Sequence, residues 1–352
     1  MWRILLGKTY FMAISHNIIN DVMFSTELEN IIITGLEEKI LTKIFHSEVE
    51  IFSSELVPDS NGTAILYDIR SLLNANISGT SDFFTFEIGG VTRSVQVIKS
   101  LVRMSESAKN FLPDFFLTPL AGKKTTLDRH ELLSFLPFES CKVYAIMTYF
   151  NDGEISNKTV DIMADGDVQL NHLNTVNCSP MMLHNAEYGQ LIQFTIHAGN
   201  RSFTYEVDNT LPAAEPAVIF SNAFGCWDTM YFTGTKETAL EVARSFAYID
   251  GAYKMYDSKD TETFKVNSGV LVGDMILLGK ELAVSPLVYL MEKDGTTADK
   301  VVVTDSEIKY TNDDDSLPTF DYTFRRSTVV TVFVKAVRPP KLFDRTFDIT
   351  FN

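Results

Sequence analysis

The sequence is poor in cysteine, with three in 352 residues, at Cys141, Cys178 and Cys226. An odd number without C-x-x-C spacing argues against both a disulfide framework and a zinc site. Unpaired cysteines are typical of chains that fold in a reducing cytoplasm. We therefore expect cytoplasmic folding without a disulfide scaffold.

Long hydrophobic runs are also missing. At the N-terminus only Ile4, Leu5 and Leu6 form a continuous apolar run, which is too short for the hydrophobic region of a signal peptide. No later run reaches the ~18 apolar residues that predict a transmembrane helix. Because Met12 is a plausible alternative start, we interpret residues 1–11 as an upstream extension or docking segment.

Positive charge is scarce, since 46 acidic residues stand against 30 Lys and Arg and give a formal net charge of −16. Such a field repels phosphate backbones and anionic membranes. The pairs Lys123-Lys124 and Arg325-Arg326 are isolated, and we interpret each as a solvated surface feature. We expect neither direct nucleic-acid binding nor membrane insertion.

The common catalytic and nucleotide-binding motifs are absent: no G-x-S-x-G, no G-x-x-x-x-G-K-[ST], no G-x-G-x-x-G opening a helix and no H-E-x-x-H. Two enzymatic alternatives have less support. Cys226 could be a nucleophile, but no partner base is recognisable in the sequence. Two carboxylates could cleave polysaccharide, but the acidic residues lie mostly at turns, where they are solvated. We predict that the protein is not an enzyme and has no catalytic residue, cofactor or metal site.

Metal-ligating residues are present but scattered. No two histidines have i, i+2 or i, i+4 spacing, and we expect surface or packing roles for His16, His46, His130, His172, His184 and His197. The acidic runs Asn312–Asp315 and Asp165–Asp167 could offer oxygens to calcium. Neither matches a calcium-binding loop, so we interpret both as solvated hairpin tips.

Alternation of apolar and polar residues dominates what is present, interrupted by Gly, Asn and Asp turns. Clear hairpins surround Gly89-Gly90, Asn151–Gly153 and Ala198–Asn200. The pattern predicts an all-β, mainly antiparallel protein of tandem β-sandwich-like domains. We expect only three short helices, over residues 68–75, 125–136 and 272–282.

The prolines and the interruptions of the strand pattern suggest where domains divide. Pro212 and Pro216 flank small residues and predict a linker, because proline cannot pair centrally in a sheet. The predicted units are listed in order: an N-terminal extension (1–11), a β-sandwich-like domain (12–110), a connecting segment with a short helix (111–136), a second β domain (137–211), a third β domain (212–337) and a C-terminal strand or arm (338–352).

The stretch Ala217–Gly234 is rich in aromatic residues and could be either a reactive-cysteine loop or a hairpin. Asn222 and Gly225 offer turn chemistry between two aromatic strands, which favours the hairpin. We predict Phe224 and Trp227 as core anchors, and a loss of ~3 to 5 kcal/mol for Trp227→Ala if that side chain is buried.

Several short patterns resemble structural proteins of phages and prophages of gut Bacteroidota, from the tail and baseplate region. These are VEIFSSELVPDSNGTAILYDIRSLL at 49–73, SNAFGCWDT within the aromatic stretch, and LAVSPLVYLMEKDGTTADKVVVTDSEIKY at 282–310. The resemblance covers most of residues 13–335 and implies a virion tail component whose partners are other copies and other tail proteins. It implies no functional residue.

From this resemblance we expect a homo-oligomeric ring near the baseplate or connector, assembled in the bacterial host cytoplasm. Head-to-tail interfaces close such rings, and β domains supply the necessary edges. Residues 339–352 could pair with a neighbouring subunit's sheet or be an ordinary last strand. The alternative function is a carbohydrate- or receptor-binding module on the virion or cell surface, with possible glycan contact through exposed aromatic residues.

Overall fold

The computed structural model describes residues 14–211, 216–271, 273–309 and 317–327. Over these residues the chain is all-β with four short helices, which confirms the predicted fold class. Several predicted features lie outside them: the N-terminal extension, Pro212 of the linker, the acidic run Asn312–Asp315 and the C-terminal arm.

The first group of strands forms two sheets around one core. Its eight strands are β1 (Ser15–His16), β2 (Val22–Phe24), β3 (Ile31–Thr34), β4 (Ile40–His46), β5 (Val49–Leu56), β6 (Ala64–Leu66), β7 (Ser81–Ile88) and β8 (Val91–Ile98). One sheet has the order β1-β3-β6 and the other β2-β8-β7-β4-β5. Helix α1 (Ile69–Asn76) contributes Ile69 and Leu73 to the core that both sheets share.

The second group has one large and one small sheet. Its strands are β9 (Gly122–Thr125), β10 (Leu132–Phe135), β11 (Val143–Asn151), β12 (Glu154–Met163), β13 (Asn174–Asn177), β14 (Gln190–Ala198) and β15 (Arg201–Val207). The large sheet runs β12-β11-β14-β15-β9, and β10 pairs with β13. Two helices, α2 (Ala108–Asp114) and α3 (Pro180–Leu183), which the sequence pattern did not predict, accompany these strands.

The third group forms a single seven-stranded sheet. Its strands are β16 (Ala217–Ser221), β17 (Trp227–Tyr231), β18 (Lys236–Ile249), β19 (Ala252–Asn267), β20 (Val288–Met291), β21 (Thr297–Lys309) and β22 (Thr319–Arg326). The strand order is β17-β16-β20-β21-β22-β19-β18, so β17 and β18 lie at the two ends of the sheet. Helix α4 (Met275–Val284) confirms the helix predicted over 272–282.

All three predicted hairpins are present as antiparallel pairs. β7 pairs with β8, β11 with β12 and β14 with β15, with the connecting glycines Gly89, Gly90, Gly153 and Gly199 at positive φ. Positive φ costs glycine little because it has no Cβ, which is why turn residues made these hairpins predictable.

The helix predicted over 125–136 is wrong. Leu132–Phe135 forms a strand instead and pairs antiparallel with Asn174–Asn177. The pairing continues one residue further: the amide of Cys178, after β13, donates to the carbonyl oxygen of Glu131, before β10, at 2.7 Å. These partners lie 39 to 47 residues away in the sequence, so tertiary pairing overrides the local helical spacing of the leucines.

The second and third groups share one hydrophobic core. Phe194 and Tyr205 of the second group belong to the same buried cluster as Phe220, Phe232 and Tyr322 of the third. A smaller cluster combines residues of all three groups: Phe24, Ile98, Ala108, Leu112, Leu117, Leu136, Phe224 and Cys226. The region between the sheets is therefore where the three groups meet, and the predicted domain boundaries remain predictions.

Candidate functional site

The turn between β16 and β17 is organised by the side chain of Asn222. This side chain is 2% exposed, and its Oδ1 accepts hydrogen bonds at 3.0 Å from the amides of Phe224 and Cys226. Its Nδ2 donates at 3.0 Å to the carbonyl oxygen of Leu117. The predicted hairpin and its turn chemistry are therefore confirmed, and the turn is also bonded to a distant segment.

The same turn packs against the first group of strands. Gly225 has φ +75°, and a Cβ built on it would lie 2.9 Å from the carbonyl oxygen of Gly79. The Leu101 amide donates to the Ala223 carbonyl at 2.8 Å, and the Thr80 hydroxyl donates to the Gly225 carbonyl at 3.3 Å. Residues 222–226 thus bind all three strand groups together, which is a structural role.

Cys226 is placed as a packing residue. The thiol is 1% exposed, and its Sγ lies 3.6 Å from the Thr80 hydroxyl. Burial raises the pKa of the thiol to about 12, against the opposing effect of hydrogen bonds to Thr80 and Ser134. Because the thiolate is the nucleophilic form, a thiol held protonated in a closed core is unsuited to covalent chemistry.

Of the two predicted core anchors, one is confirmed and one is wrong. Phe224 is 1% exposed and stacks on Phe111, with Phe24 also in contact. Trp227 is 36% exposed at the start of edge strand β17, where its ring meets Tyr289 edge-on at 5.8 Å. The alternation of the strand points the neighbouring Asp228 inward instead, since that residue is 5% exposed.

The histidines occupy separate places in the fold. His46, His184 and His197 stack on Phe84, Tyr149 and Tyr144, and burial followed by the nearby Arg93 charge lowers the pKa of His16. Within the described part of the chain, His, Cys, Asp and Glu form no group of three that could hold a metal ion. The other calcium candidate, Asp165–Asp167, forms a 3-10 turn in which Asp167 accepts the amide of Ala164.

A buried ion cluster joins the second and third groups. The Lys123 Nζ lies 2.7 Å from Glu131 Oε2 and 3.0 Å from Asp228 Oδ1, and it donates to the Thr229 carbonyl at 2.7 Å. The hydroxyl of Thr125 donates to the other Glu131 oxygen at 2.8 Å. Burial lowers the pKa of Lys123, but the two carboxylates outweigh it and the net shift is upward. The ammonium group therefore stays charged and forms ion pairs with buried carboxylates from two groups.

The interpretation of Lys123 as a solvated surface residue is therefore wrong, since it is 6% exposed. The interpretation holds better for its neighbour: Lys124 is partly exposed and lies 3.7 Å from Glu206. In the second basic pair Arg325 is exposed, whereas Arg326 is partly covered and lies over the Phe264 ring. A strand alternates its side chains, so adjacent identical residues face opposite environments.

A further carboxyl group lies close to this cluster. Glu281 of α4 is 8% exposed, and neither of its oxygens accepts a hydrogen bond of normal geometry among the described residues. Burial, and then the charge of Asp228, raises its pKa to about 7. The backbone of Ala223 favours the ionised form of Glu281 and lowers its pKa, but this effect is smaller than the rise in pKa caused by burial. Sequence reasoning missed this group because nothing local marks a helical Glu as buried.

The longest hairpin projects beyond its sheet. β18 pairs with β19 along its whole length, but β19 pairs with β22 only over Thr263–Asn267. Residues 240–262, called the ribbon below, therefore form a two-stranded hairpin without a third strand among the described residues. The ten residues of Leu240–Ile249 span about 33 Å at 3.3 Å per residue.

One face of the ribbon is apolar and exposed. Phe246 faces Met255 and Tyr248 faces Tyr253 across the strands, so these four side chains share one face. Their exposed fractions are 56%, 54%, 65% and 78% in that order. The Tyr248 and Tyr253 rings meet edge-on at 5.1 Å. Leu240 is also exposed and, at an even spacing from Phe246, shares this face; Ile249 is exposed on the opposite face.

A cleft of about 680 Å³ lies between the loop 126–130 and the near end of the third sheet. Arg129 lines it and is 7% exposed, with its guanidinium carbon 4.8 Å from the centre of the Tyr231 ring. The Arg129 Nη2 has no hydrogen-bond partner among the described residues. Asp128 and Asn209 stand exposed on the rim.

Comparisons with known proteins add little. No protein-family model and no curated protein matches the chain. Among solved structures, a chain of "Virion of native gene transfer agent (GTA) particle" is similar at a TM-score of 0.24 and 6% identity, over 32% of this chain and 91% of that chain. None of the helices in the described residues is long and apolar enough to cross a membrane.

Proposed function

We propose that the chain is a non-enzymatic structural subunit of a bacteriophage virion, which assembles through the ribbon. The observation that carries the proposal is the exposed apolar face formed by Phe246, Tyr248, Tyr253 and Met255. Exposed apolar surface of this extent marks an interaction site in a stable protein. The resemblance of short sequence patterns to phage tail proteins supports a virion as the biological setting.

The size of the face suits a specific contact. An aromatic side chain buries about 150 to 250 Å², so the exposed parts of these four side chains amount to about 500 Å². Contact with an equal area of a neighbour would then bury about 1,000 Å² in total, near the lower limit for specific interfaces. Because a two-stranded hairpin alone is marginal in water, contact with a neighbour also stabilises the ribbon itself.

The finer part of the proposal is a homo-oligomeric ring in the tail, baseplate or connector region. In a ring, the ribbon of each copy contacts a different surface on the next copy. Such head-to-tail contacts form a closed ring when the rotation from one subunit to the next adds up to a full turn. The outer edge of β18 pairs with no other strand of the described residues, so its backbone groups are available for the same contact. Other tail proteins are the remaining proposed partners.

The decisive experiment replaces the apolar face without touching the core. A Phe246→Ser/Tyr253→Ser/Met255→Ser variant is expected to keep the wild-type circular dichroism spectrum, and so the fold, but remain monomeric in mass photometry, while the wild type forms a discrete oligomer. The matched control, Val57→Ser/Tyr67→Ser/Ile155→Ser, changes three side chains that are 76%, 68% and 68% exposed elsewhere. It should assemble like the wild type. A wild-type chain that stays monomeric and is missing from virions by mass spectrometry would refute the proposal.

A second candidate function, a carbohydrate- or receptor-binding module, is favoured by one different observation. The cleft over Arg129 combines a buried cation with a polar rim and has the size of a small-molecule site. It lies apart from the ribbon, so a virion subunit could carry both features.

A further inference from the structure

We propose that the cleft over Arg129 is a binding site for a carboxylate-bearing sugar residue of the uronic acid class. The inference rests on the second candidate function, for which it names the ligand class, and is independent of the ribbon and of virion assembly.

The cleft contains a cation without a counter-ion in contact. The Arg129 Nη2 is buried and has no hydrogen-bond partner among the described residues. The nearest candidates are already engaged: Glu131 binds Lys123, and Asp128 accepts the hydroxyl of Thr126. A buried charge that lacks a hydrogen-bonded partner is costly, so an anion that enters the cleft gains more there than at the surface.

The shape of the guanidinium selects the kind of anion. Its planar fork of N–H groups matches the two oxygens of a carboxylate. The ring of Tyr231 covers one face of Arg129 at 4.8 Å, which restricts the orientation of the fork. Asp128 and Glu292 lie on the same rim, and their negative charges oppose a doubly charged phosphate more than a singly charged carboxylate. A carboxylate is therefore favoured over a phosphate.

The rest of the lining indicates what carries the carboxylate. The rim offers hydrogen-bonding groups of several kinds, from Asp128, Asn209, Lys236 and Glu292. Their mixture suits a ligand with many hydroxyl groups better than a purely apolar acid. The volume of about 680 Å³ lies within the range of small-ligand pockets and admits a sugar residue.

The test is a calorimetric and NMR titration of the full chain with D-glucuronate, with D-glucose as the neutral counterpart and with inorganic phosphate. We expect saturable binding of glucuronate, at least tenfold tighter than glucose and tighter than phosphate. Arg129→Gln should weaken glucuronate at least tenfold, and Arg129→Lys should restore part of the affinity. The control Arg325→Gln removes an exposed arginine outside the cleft and should stay within twofold of wild type.

Equal affinity for glucuronate and glucose, or no binding of either, would overturn the proposal. Tighter binding of phosphate would also overturn it, because the cleft would then be a site for another anion. If Arg129→Gln fails to fold, the glucuronate-to-glucose ratio of the wild type and an Asn209→Ala variant on the exposed rim decide the question. Asn209→Ala should weaken glucuronate several-fold, and an unchanged affinity would place the sugar elsewhere.

Discussion

Replacement of Glu281 by Gln should change how the stability of the protein depends on pH. Glu281 is 8% exposed in α4, and burial together with the Asp228 charge raises its pKa from 4.5 to about 7. Gln has nearly the same shape and cannot ionise. The variant therefore isolates the cost of placing a negative charge at this position.

The sign and size follow from linkage. In the unfolded chain Glu281 loses its proton as the pH passes about 4.5, whereas the folded protein retains it until about 7. The stability that the protonated form contributes is therefore complete below pH 4.5, declines as the pH rises and is lost above about 7. At 1.36 kcal/mol per pKa unit, the whole change is about 3 kcal/mol.

Urea unfolding at several pH values between 4.5 and 8, followed by tryptophan fluorescence, measures this change. The wild type should lose up to about 3 kcal/mol more than Glu281→Gln across that range, with m unchanged. Glu241→Gln removes an exposed carboxylate of β18 and should follow the wild-type profile. Parallel profiles for wild type and Glu281→Gln would refute the reasoning, because the folded protein would then tolerate the charge.

Four further substitutions test the packing and the contacts between the strand groups. Lys123→Met should destabilise the protein by about 3 to 5 kcal/mol in urea unfolding, because it leaves two buried carboxylates without a cation; a loss below about 1 kcal/mol would contradict this. Asn222→Ala removes three buried hydrogen bonds and should cost about 2 to 4 kcal/mol by the same measurement, whereas an unchanged midpoint would show that water replaces them. Phe224→Ala should cost about 3 to 5 kcal/mol and Trp227→Ala only about 1 kcal/mol by thermal unfolding, and the reverse order would contradict the burial of the two rings.

Much of the strand arrangement could be predicted from local sequence. The hairpins at Gly89-Gly90, Asn151–Gly153 and Ala198–Asn200 were predictable because alternation and turn residues act over a few residues. The Asn222–Cys226 turn was predictable for the same reason. Helix α4 was also predictable from its spacing, although the alternation around β18 and β19 did not show that they project as a ribbon.

Other features depend on partners that are distant in sequence. The segment 125–136 has helical spacing, yet its end pairs with Asn174–Asn177 as a strand. Local propensity is worth tenths of a kcal/mol per residue, so a full set of strand pairs and buried contacts prevails. Trp227 was predicted to be buried from its hydrophobicity, but its place on an edge strand leaves it partly exposed.

The candidate sites show the same division most clearly. The sequence by itself determined the all-β class, the hairpins and the aromatic turn, because each depends on neighbours within about ten residues. Only the tertiary structure decided that Lys123 pairs with two buried carboxylates, that Glu281 is buried beside them and that Arg129 lines a cleft. Whether a charged side chain is buried depends on which strands, distant in sequence, pack together, and a local pattern of residues does not specify that packing.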